Sequence, residues 1–600
     1  MKITPSSTPP APSAAAQRPV NEAATQRLDR LLHADLAQLS GGLSPVSLAL
    51  ALADWGWHLT LSPGRQLELV ALATRLAHDT LGAQPGDGAL PAGSNDDDPR
   101  FRHEAWAQWP FHLMRSGFRN SEAFWREAAC APGMTAHHSE MTKFFARQWL
   151  GMVAPANWLP TNPVVLQDAV ASGGAHLLQG ARHWLSDVAA LPDATQQAQA
   201  ARFEVGRNLA ATPGKVVLRN ALIELIRYDA QTSQVHPEPV LIVPSWIMKY
   251  YILDLSPHNS LVRYLVQHGH TVYMMSWRNP GAQDHGLSMD DYLQQGIFDA
   301  LRTIGSLGGE RQGVHAMGYC LGGTLLAIAA AALAQGRART GMNGLPALNS
   351  LTLLAAQTDF SEPGELGLFI DESQLHFLDD ITRGQGYLTG EQMAGSFQFL
   401  HSRDLVWTRR MREYLMGERE QLSDLMAWNA DTTRMPARMH HEYLSALYLH
   451  NALAHSSYRV EGHAVSLADI RWPVFMVGTE RDHISPWRSV YKLHHLCDAE
   501  ITFVLTSGGH NAGIVSEPGH AGRSYRIGVR RADGAWIDPE HWPERAAQHA
   551  GSWWPAWQAW LAARSSPVRR ARATPAKAVL GTAPGEYVRQ RYTDSAPARW

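Results

Sequence analysis

Six hundred residues exceed what a single hydrophobic core organises, so two or three folded units are expected. A formal net charge of -3 with 18% charged residues offers none of the basic excess that nucleic-acid binding needs, and no run of about 18 apolar residues provides a bilayer span. Three cysteines, Cys130, Cys320 and Cys497, are too few for a disulfide framework and suit a reducing cytoplasm. Lys2 has no apolar stretch behind it, so no signal peptide is expected.

Residues 1–27 are rich in Pro, Ala, Ser and Thr and read as disordered. Leu28, Leu31, Leu32, Leu36 and Leu39 then recur at helical spacing up to Gly41-Gly42. Pro45 opens a second helix through Leu48, Leu52, Trp55 and Leu59, Pro63-Gly64 breaks it, and a third runs from Leu67 to about Leu76. This helical segment, 28–82, leads into a linker over 83–99 marked by Pro85-Gly86 and Asp96-Asp97-Asp98-Pro99. A second helical domain is expected over 100–213.

From residue 214 the hydrophobic period changes to that of strands. Lys215–Leu218 and Ile223–Tyr228 read as an antiparallel edge pair. Val240–Val243, Thr271–Trp277, Gly313–Tyr319, Leu351–Ala356, Val474–Gly478 and Ile501–Thr506 follow, mostly with helical patterns between them. Strands alternating with helices predict an α/β fold with a mainly parallel, doubly wound sheet. Its core is split into 214–357 and 471–563. The interval 358–470 is too long for one crossover and reads as an inserted cap, with helical patterns at Phe397–Met411 and Met439–Leu453. The Trp-rich stretch 552–560 reads as a terminal helix, and 564–600 as a basic, solvated and mobile tail.

Gly318-Tyr319-Cys320-Leu321-Gly322 lies between a predicted strand and an unbroken Ala/Leu/Ile helix, the layout of a nucleophile elbow. A sulfur nucleophile there needs a base and a group to orient it. In a hydrolase-type sheet these follow in the order nucleophile, acid, histidine, on loops after later strands. Asp482 follows Val474–Gly478, and His510 follows Ile501–Thr506 behind Gly508-Gly509. Asp359, after Leu351–Ala356, is the competing acid. The oxyanion hole is expected from the backbone N–H of Leu321 and from Trp246 or Ile247 after Val240–Val243. His494, His495 and Cys497 cluster without a second ligand pair, so no metal site is expected.

These stretches resemble the polyhydroxyalkanoate synthases, the polyester polymerases of bacterial storage granules, in the short-chain single-subunit type. The resemblance covers nearly everything after residue 28. It is carried by Gly318 through Thr324, by Lys249-Tyr250-Tyr251-Ile252-Leu253-Asp254-Leu255, and by Ser276-Trp277-Arg278-Asn279-Pro280. Trp428 through Pro436, Asp482-His483-Ile484-Ser485-Pro486-Trp487 and Ala583-Pro584-Gly585-Glu586-Tyr587-Val588 carry it too. It implies an α/β-hydrolase fold with an inserted cap and a helical N-terminal domain. By the resemblance Cys320 is the acyl carrier, His510 the general base and Asp482 the third member, with Met248, Asp254 and His483 as candidate substrate contacts. It also implies (R)-3-hydroxyacyl-CoA as substrate rather than cofactor, a growing polyester chain, no other cofactor, a homodimer, and a cytoplasmic location at the granule surface with granule-associated proteins as partners. A cysteine-type thioesterase on the same fold, or a non-catalytic granule scaffold, are the alternatives.

Three departures stand out. Ser245 replaces the second of two prolines usual in the family, Met248 replaces a usual Asn beside the oxyanion loop, and residues 281–289 lack the usual Trp before Asp290-Asp291-Tyr292. A cysteine fits the implied chemistry, because exchange of one thioester for another keeps the acyl group activated. Cap aromatics Trp407, Trp428, Tyr443 and Tyr448 are expected to keep water from the site.

Overall fold

A computed structural model of the protein describes residues 24–40, 42–82, 98–189, 198–309, 313–336, 344–393, 395 and 406–591. Among these, eleven strands form one sheet: β1 (Gly214–Arg219), β2 (Ile223–Tyr228), β3 (Val240–Val243), β4 (Val272–Trp277), β5 (Val314–Tyr319), β6 (Leu348–Leu354), β7 (Val474–Thr479), β8 (Ile501–Thr506), β9 (Ser524–Arg530), β10 (Ala547–Ala550) and β11 (Gly581–Thr582). Their spatial order is β10-β9-β8-β7-β6-β5-β3-β4-β2-β1-β11. The six central strands, β3 to β8, pair in parallel, and both flanks are antiparallel. Helices cover both faces of the centre, which explains why β3, β4, β5, β7 and β8 are buried along their whole length. The chain has the expected α/β architecture, a mainly parallel sheet covered by helices, with a helical N-terminal region.

The predicted strands occupy the centre. β3 and β8 have the expected bounds, whereas β6 begins at Leu348 and stops before Ala355, whose φ of 46° turns the chain out of the sheet. Three flank strands escape sequence reasoning. β9 alternates Tyr525, Ile527 and Val529, a readable pattern, but β10 holds no β-branched residue and β11 has only two residues.

The tail is the main correction. Residues 564–591 are bound to the sheet edge rather than mobile and solvated. β11 pairs with β1, and Arg569–Arg570 pairs with Gln234–Val235. The cause is Glu224, fully buried on β2. Its carboxylate accepts from Arg219 and from the backbone N–H groups of Glu586 and Tyr587 at 2.8 and 2.9 Å. Without those donors a charge would be buried unpaired.

At the other end, helices span Ala24–Ser40, Pro45–Thr60 and Pro63–Gly82, the first starting four residues before Leu28. Ser44 caps the second, accepting from the Ser47 N–H. Four more helices follow between Phe111 and Val188. The expectations of disorder over residues 1–23 and of a linker over 83–97 lie outside the described residues, as does most of Phe397–Met411. The N-terminal helices pack on the cap. The Ser44 N–H donates to Gln374 Oε1 at 2.7 Å, Ser47 Oγ donates to Asp371 Oδ1 at 2.9 Å, and Phe144 meets Phe369 edge-on. Their outer faces leave Leu28 and Trp57 more than two-thirds exposed.

Candidate active site

The elbow is built by crowding. A Cβ on Gly318 would lie under 3.0 Å from the backbone of Gly322 and Gly323, and one on Gly322 equally close to the carbonyls of Val243 and Pro244. Only hydrogen fits, so β5 passes directly into the helix Leu321–Gln335. Cys320, between them, is held at φ 54° and ψ -127° with its N–H donating to the Leu354 carbonyl at 2.8 Å. A side chain other than glycine's in that region is strained by about 1–3 kcal/mol, a cost met by the packing around it.

Asp482 follows β7, and its carboxylate is fixed from four sides. The Ile484 and Ser485 N–H groups donate to Oδ1 at 2.9 and 2.8 Å, Thr479 Oγ1 donates to Oδ2 at 2.8 Å, and His510 Nδ1 lies 2.8 Å from the same oxygen. Burial would raise this carboxyl, but the His510 charge and these hydrogen bonds outweigh it and hold it below its ordinary value. His510, after β8, is largely buried, hydrogen-bonds Asp482 and stands beside Cys320. Burial would lower its imidazole, yet the charges of Asp482 and Cys320 prevail and hold it well above the ordinary value. Asp359 is occupied elsewhere, accepting from Ser361 and Asn451. The carboxylate on His510 is therefore Asp482.

Cys320 opens on a cavity of about 650 Å³, within the range of small-molecule sites. Its floor is Cys320, Leu321 and Ile247, and its roof comes from the cap through Phe369, Leu378, Tyr443 and Tyr448. Ala34 and Ala37 of the first helix complete one wall. The lining is mainly apolar, with Gln357, Gln374, Gln385, Glu391, Gln392 and His440 set into it. Burial pushes His440 down to about 4, so its ring stays neutral at pH 7.

Profiles of known families match most of the chain. One described as "Poly-beta-hydroxybutyrate polymerase N terminal" matches residues 23–65, "Poly-beta-hydroxybutyrate polymerase (PhaC) N-terminus" matches 97–265, and "alpha/beta hydrolase fold" matches 238–517. The poly(3-hydroxyalkanoate) polymerase subunit PhaC of Rhizobium meliloti (strain 1021) is 36% identical over 520 residues, covering 85% of this chain and 83% of that protein. The poly(3-hydroxyalkanoate) polymerase of Methylorubrum extorquens is 37% identical over 501 residues, covering 82% and 81%. The chain belongs to the poly(3-hydroxyalkanoate) polymerase family. Among solved structures, a Paleococcus ferrophilus monoacylglycerol lipase aligns over 57% of this chain and 99% of its own, at 14% identity and a TM-score of 0.32.

Within this polymerase fold, the other expected site residues divide. Leu321 and Ile247 line the cavity, but Trp246 is buried beside it, its ring edge-on to Tyr292 and Tyr443. Met248 is off the cavity: it pairs with Thr432 in an isolated bridge and packs on the main core. Asp254 is also structural. Fully buried, it accepts from Thr212 Oγ1 at 2.5 Å and Ser260 Oγ at 2.6 Å, joining the end of the helical region to the sheet. His483 is displaced from the lining because Asp482 closes a tight turn that presents Ile484 and Ser485 instead, and its carbonyl abuts Gly364.

Of the cap aromatics, Tyr443 and Tyr448 face the cavity with their hydroxyls 3.2 Å apart. Trp428 instead donates to the Lys249 carbonyl at 2.7 Å, and Trp407 stands near Trp158. The polar lining of the cavity was not readable in advance. Its residues come from separate cap and crossover segments, and no spacing in the chain joins them.

Proposed function

We propose that this chain polymerises (R)-3-hydroxyacyl-CoA, 3-hydroxybutyryl-CoA foremost, into polyester through a covalent acyl-Cys320 intermediate. The observation that carries the reading is the Asp482–His510 hydrogen bond set beside Cys320, which opens on a mainly apolar cavity. Cys320 sulfur attacks the thioester carbonyl, and the Leu321 and Ile247 N–H groups receive the oxyanion. The carbonyl–sulfur bond to coenzyme A breaks, and His510 returns the proton to the departing thiolate.

Acylation has a second consequence. It turns the sulfur beside His510 into a neutral thioester and so removes the interaction with Cys320 that helps hold the proton on the imidazole. The ring is then free to take the proton of a second substrate's 3-hydroxyl. The hydroxyl oxygen attacks the acyl-Cys320 carbonyl, an oxoester forms, and the bond between the acyl carbon and Cys320 Sγ breaks, the proton held by His510 accompanying the freed sulfur. The extended chain, now on coenzyme A, re-enters by the first step. The oxoester is more stable than the thioester it replaces, which drives elongation. Water competes with the hydroxyl, and the cap tyrosines and the apolar wall exclude it.

No helix among the described residues is long and apolar enough to cross a membrane, and the reading sets the enzyme at the surface of its insoluble product. Purified protein given 3-hydroxybutyryl-CoA should release coenzyme A and form insoluble polyester. Release with free 3-hydroxybutyrate as the main product would identify a thioesterase. No release would refute the enzymatic reading.

A further inference from the structure

One wall of the cavity is made where the first helix, Ala24–Ser40, lies along the cap helix, Glu372–Gln385. The two helices supply Ala34, Ala37, Leu378 and Ile381 to the lining. On the same contact, away from the cavity, three side chains converge. His33 Nδ1 is 2.7 Å from Asp380 Oδ2, and His376 Nδ1, one turn earlier on the cap helix, is 3.3 Å from that same oxygen. Ligand-capable atoms of the three residues all lie within 4.8 Å of one another. The His33 ring is positioned by Phe377, 5.5 Å away between centroids, and stands edge-on to His376.

Holding the helices together needs only His33 and Asp380. A second imidazole on the same carboxylate oxygen is beyond what an ion pair requires. Two histidines and one carboxylate form a donor set suited to Zn²⁺ and similar borderline divalent ions. Zinc with bonds of about 2.0–2.1 Å sets tetrahedral ligand atoms roughly 3.3 Å apart, and the two imidazole–carboxylate spacings, 2.7 and 3.3 Å, lie at or below that value. The i,i+4 spacing puts His376 and Asp380 on one helical face, already aligned. The His376 side chain is 75% exposed, so its ring has room to turn onto an ion.

We propose that His33, His376 and Asp380 form a divalent transition-metal site of the Zn²⁺ type that clips the N-terminal helix to the cap helix along the cavity wall. Three protein ligands leave a fourth position for water. The ion ties together residues 343 positions apart in sequence, so its occupancy restrains the segment that closes the cavity. Occupancy thereby tightens that wall beyond what the His33–Asp380 pair alone provides.

The test uses tag-free full-length protein carrying Cys130→Ser and Cys320→Ala, which removes the exposed thiol and the cavity thiol as competing ligands. Co²⁺ alone is titrated and followed by its visible d–d absorption, then displaced with Zn²⁺. The site predicts saturation at one Co²⁺ per chain and displacement by Zn²⁺. Adding His376→Ala or His33→Ala should weaken Co²⁺ binding by more than about tenfold. Zn²⁺ should also slow tryptic cleavage at Arg30, and His376→Ala should abolish that protection. His376 is exposed, so its variant decides the matter even if His33→Ala lowers stability. Absence of saturable binding would reduce the cluster to an ion pair and overturn the proposal. Binding of unchanged affinity in both variants would place the ion among other histidines and overturn it equally.

Discussion

Replacing Asp482 by Asn separates the charge of the buried carboxylate from its shape. The amide oxygen, placed at Oδ1, still accepts from the Ile484 and Ser485 N–H groups, so the loop after β7 keeps its form. The amide nitrogen then occupies the Oδ2 position, 2.8 Å from His510 Nδ1 and 2.8 Å from Thr479 Oγ1. Two donors cannot face each other there. His510 must present a bare Nδ1 and carry its proton on Nε2, towards Cys320, where it no longer accepts the thiol proton. Wrong-tautomer changes of this kind in hydrolytic triads cost about 10⁴ in kcat. A fall of 10³–10⁴, about 4–5.5 kcal/mol, is expected here. KM should change little, because Asp482 does not line the cavity. Removing the carboxylate also removes a charge that raises His510, so the pH dependence of the acylation step should move to lower pH. Coenzyme A release at saturating 3-hydroxybutyryl-CoA, with a melting curve on the same sample, measures this. A loss below tenfold with an unchanged melting temperature would refute the tautomer argument, and a larger loss from Asp359→Asn would refute the choice of acid.

Gly322→Ala should destabilise by at least about 1–3 kcal/mol and nearly abolish turnover, because the new methyl group meets two backbone carbonyls that cannot rotate away; a soluble, active variant would contradict the crowding account of the elbow. Met248→Asn should lower the melting temperature, by about 1 kcal/mol for a half-buried amide, without altering the rate ratio of four- to six-carbon substrates, since Met248 packs against the core and off the cavity. A changed ratio would return it to the substrate path. Asp254 ionises at 3.8 when solvated and is raised to about 6 in the fold, chiefly by burial. The folded chain therefore binds the proton more tightly, and stability falls as pH rises through that window. Asp254→Asn should stabilise by up to about 3 kcal/mol at pH 8 and be neutral at pH 4; urea midpoints showing destabilisation at pH 8 would contradict this.

The central strands were legible because parallel strands buried on both faces leave unbroken apolar runs, as in Val240–Val243 and Ile501–Thr506. The placement of Cys320, Asp482 and His510 at one edge was legible for a related reason: each follows such a run, and the fold brings the ends of those strands together. The resemblance-based contacts were less so. Lys249 through Leu255 is a family motif whose side chains serve the core, with Asp254 bracing Thr212 and Ser260 and Lys249 Nζ donating to the Gln590 carbonyl at 2.6 Å. A motif in sequence does not distinguish a residue that touches substrate from one that holds the framework. The leucine stripe of the first helix announced a covered face, but Leu28, Leu31 and Leu32 stand exposed, and it is His33, Ala34 and Ala37 that lie on the cap-helix side. The bound tail was hidden because its partner, Glu224, is a single buried charge with no pattern around it.

The covalent intermediate is the claim on which the functional account rests. Protein mixed with a slight excess of 3-hydroxybutyryl-CoA, quenched in acid and mapped by peptide mass spectrometry, should carry the 3-hydroxybutyryl group on the Cys320 peptide, and Cys320→Ala should neither carry it nor release coenzyme A. Acylation at Cys130 or Cys497, or coenzyme A release at normal rate from Cys320→Ala, would contradict it.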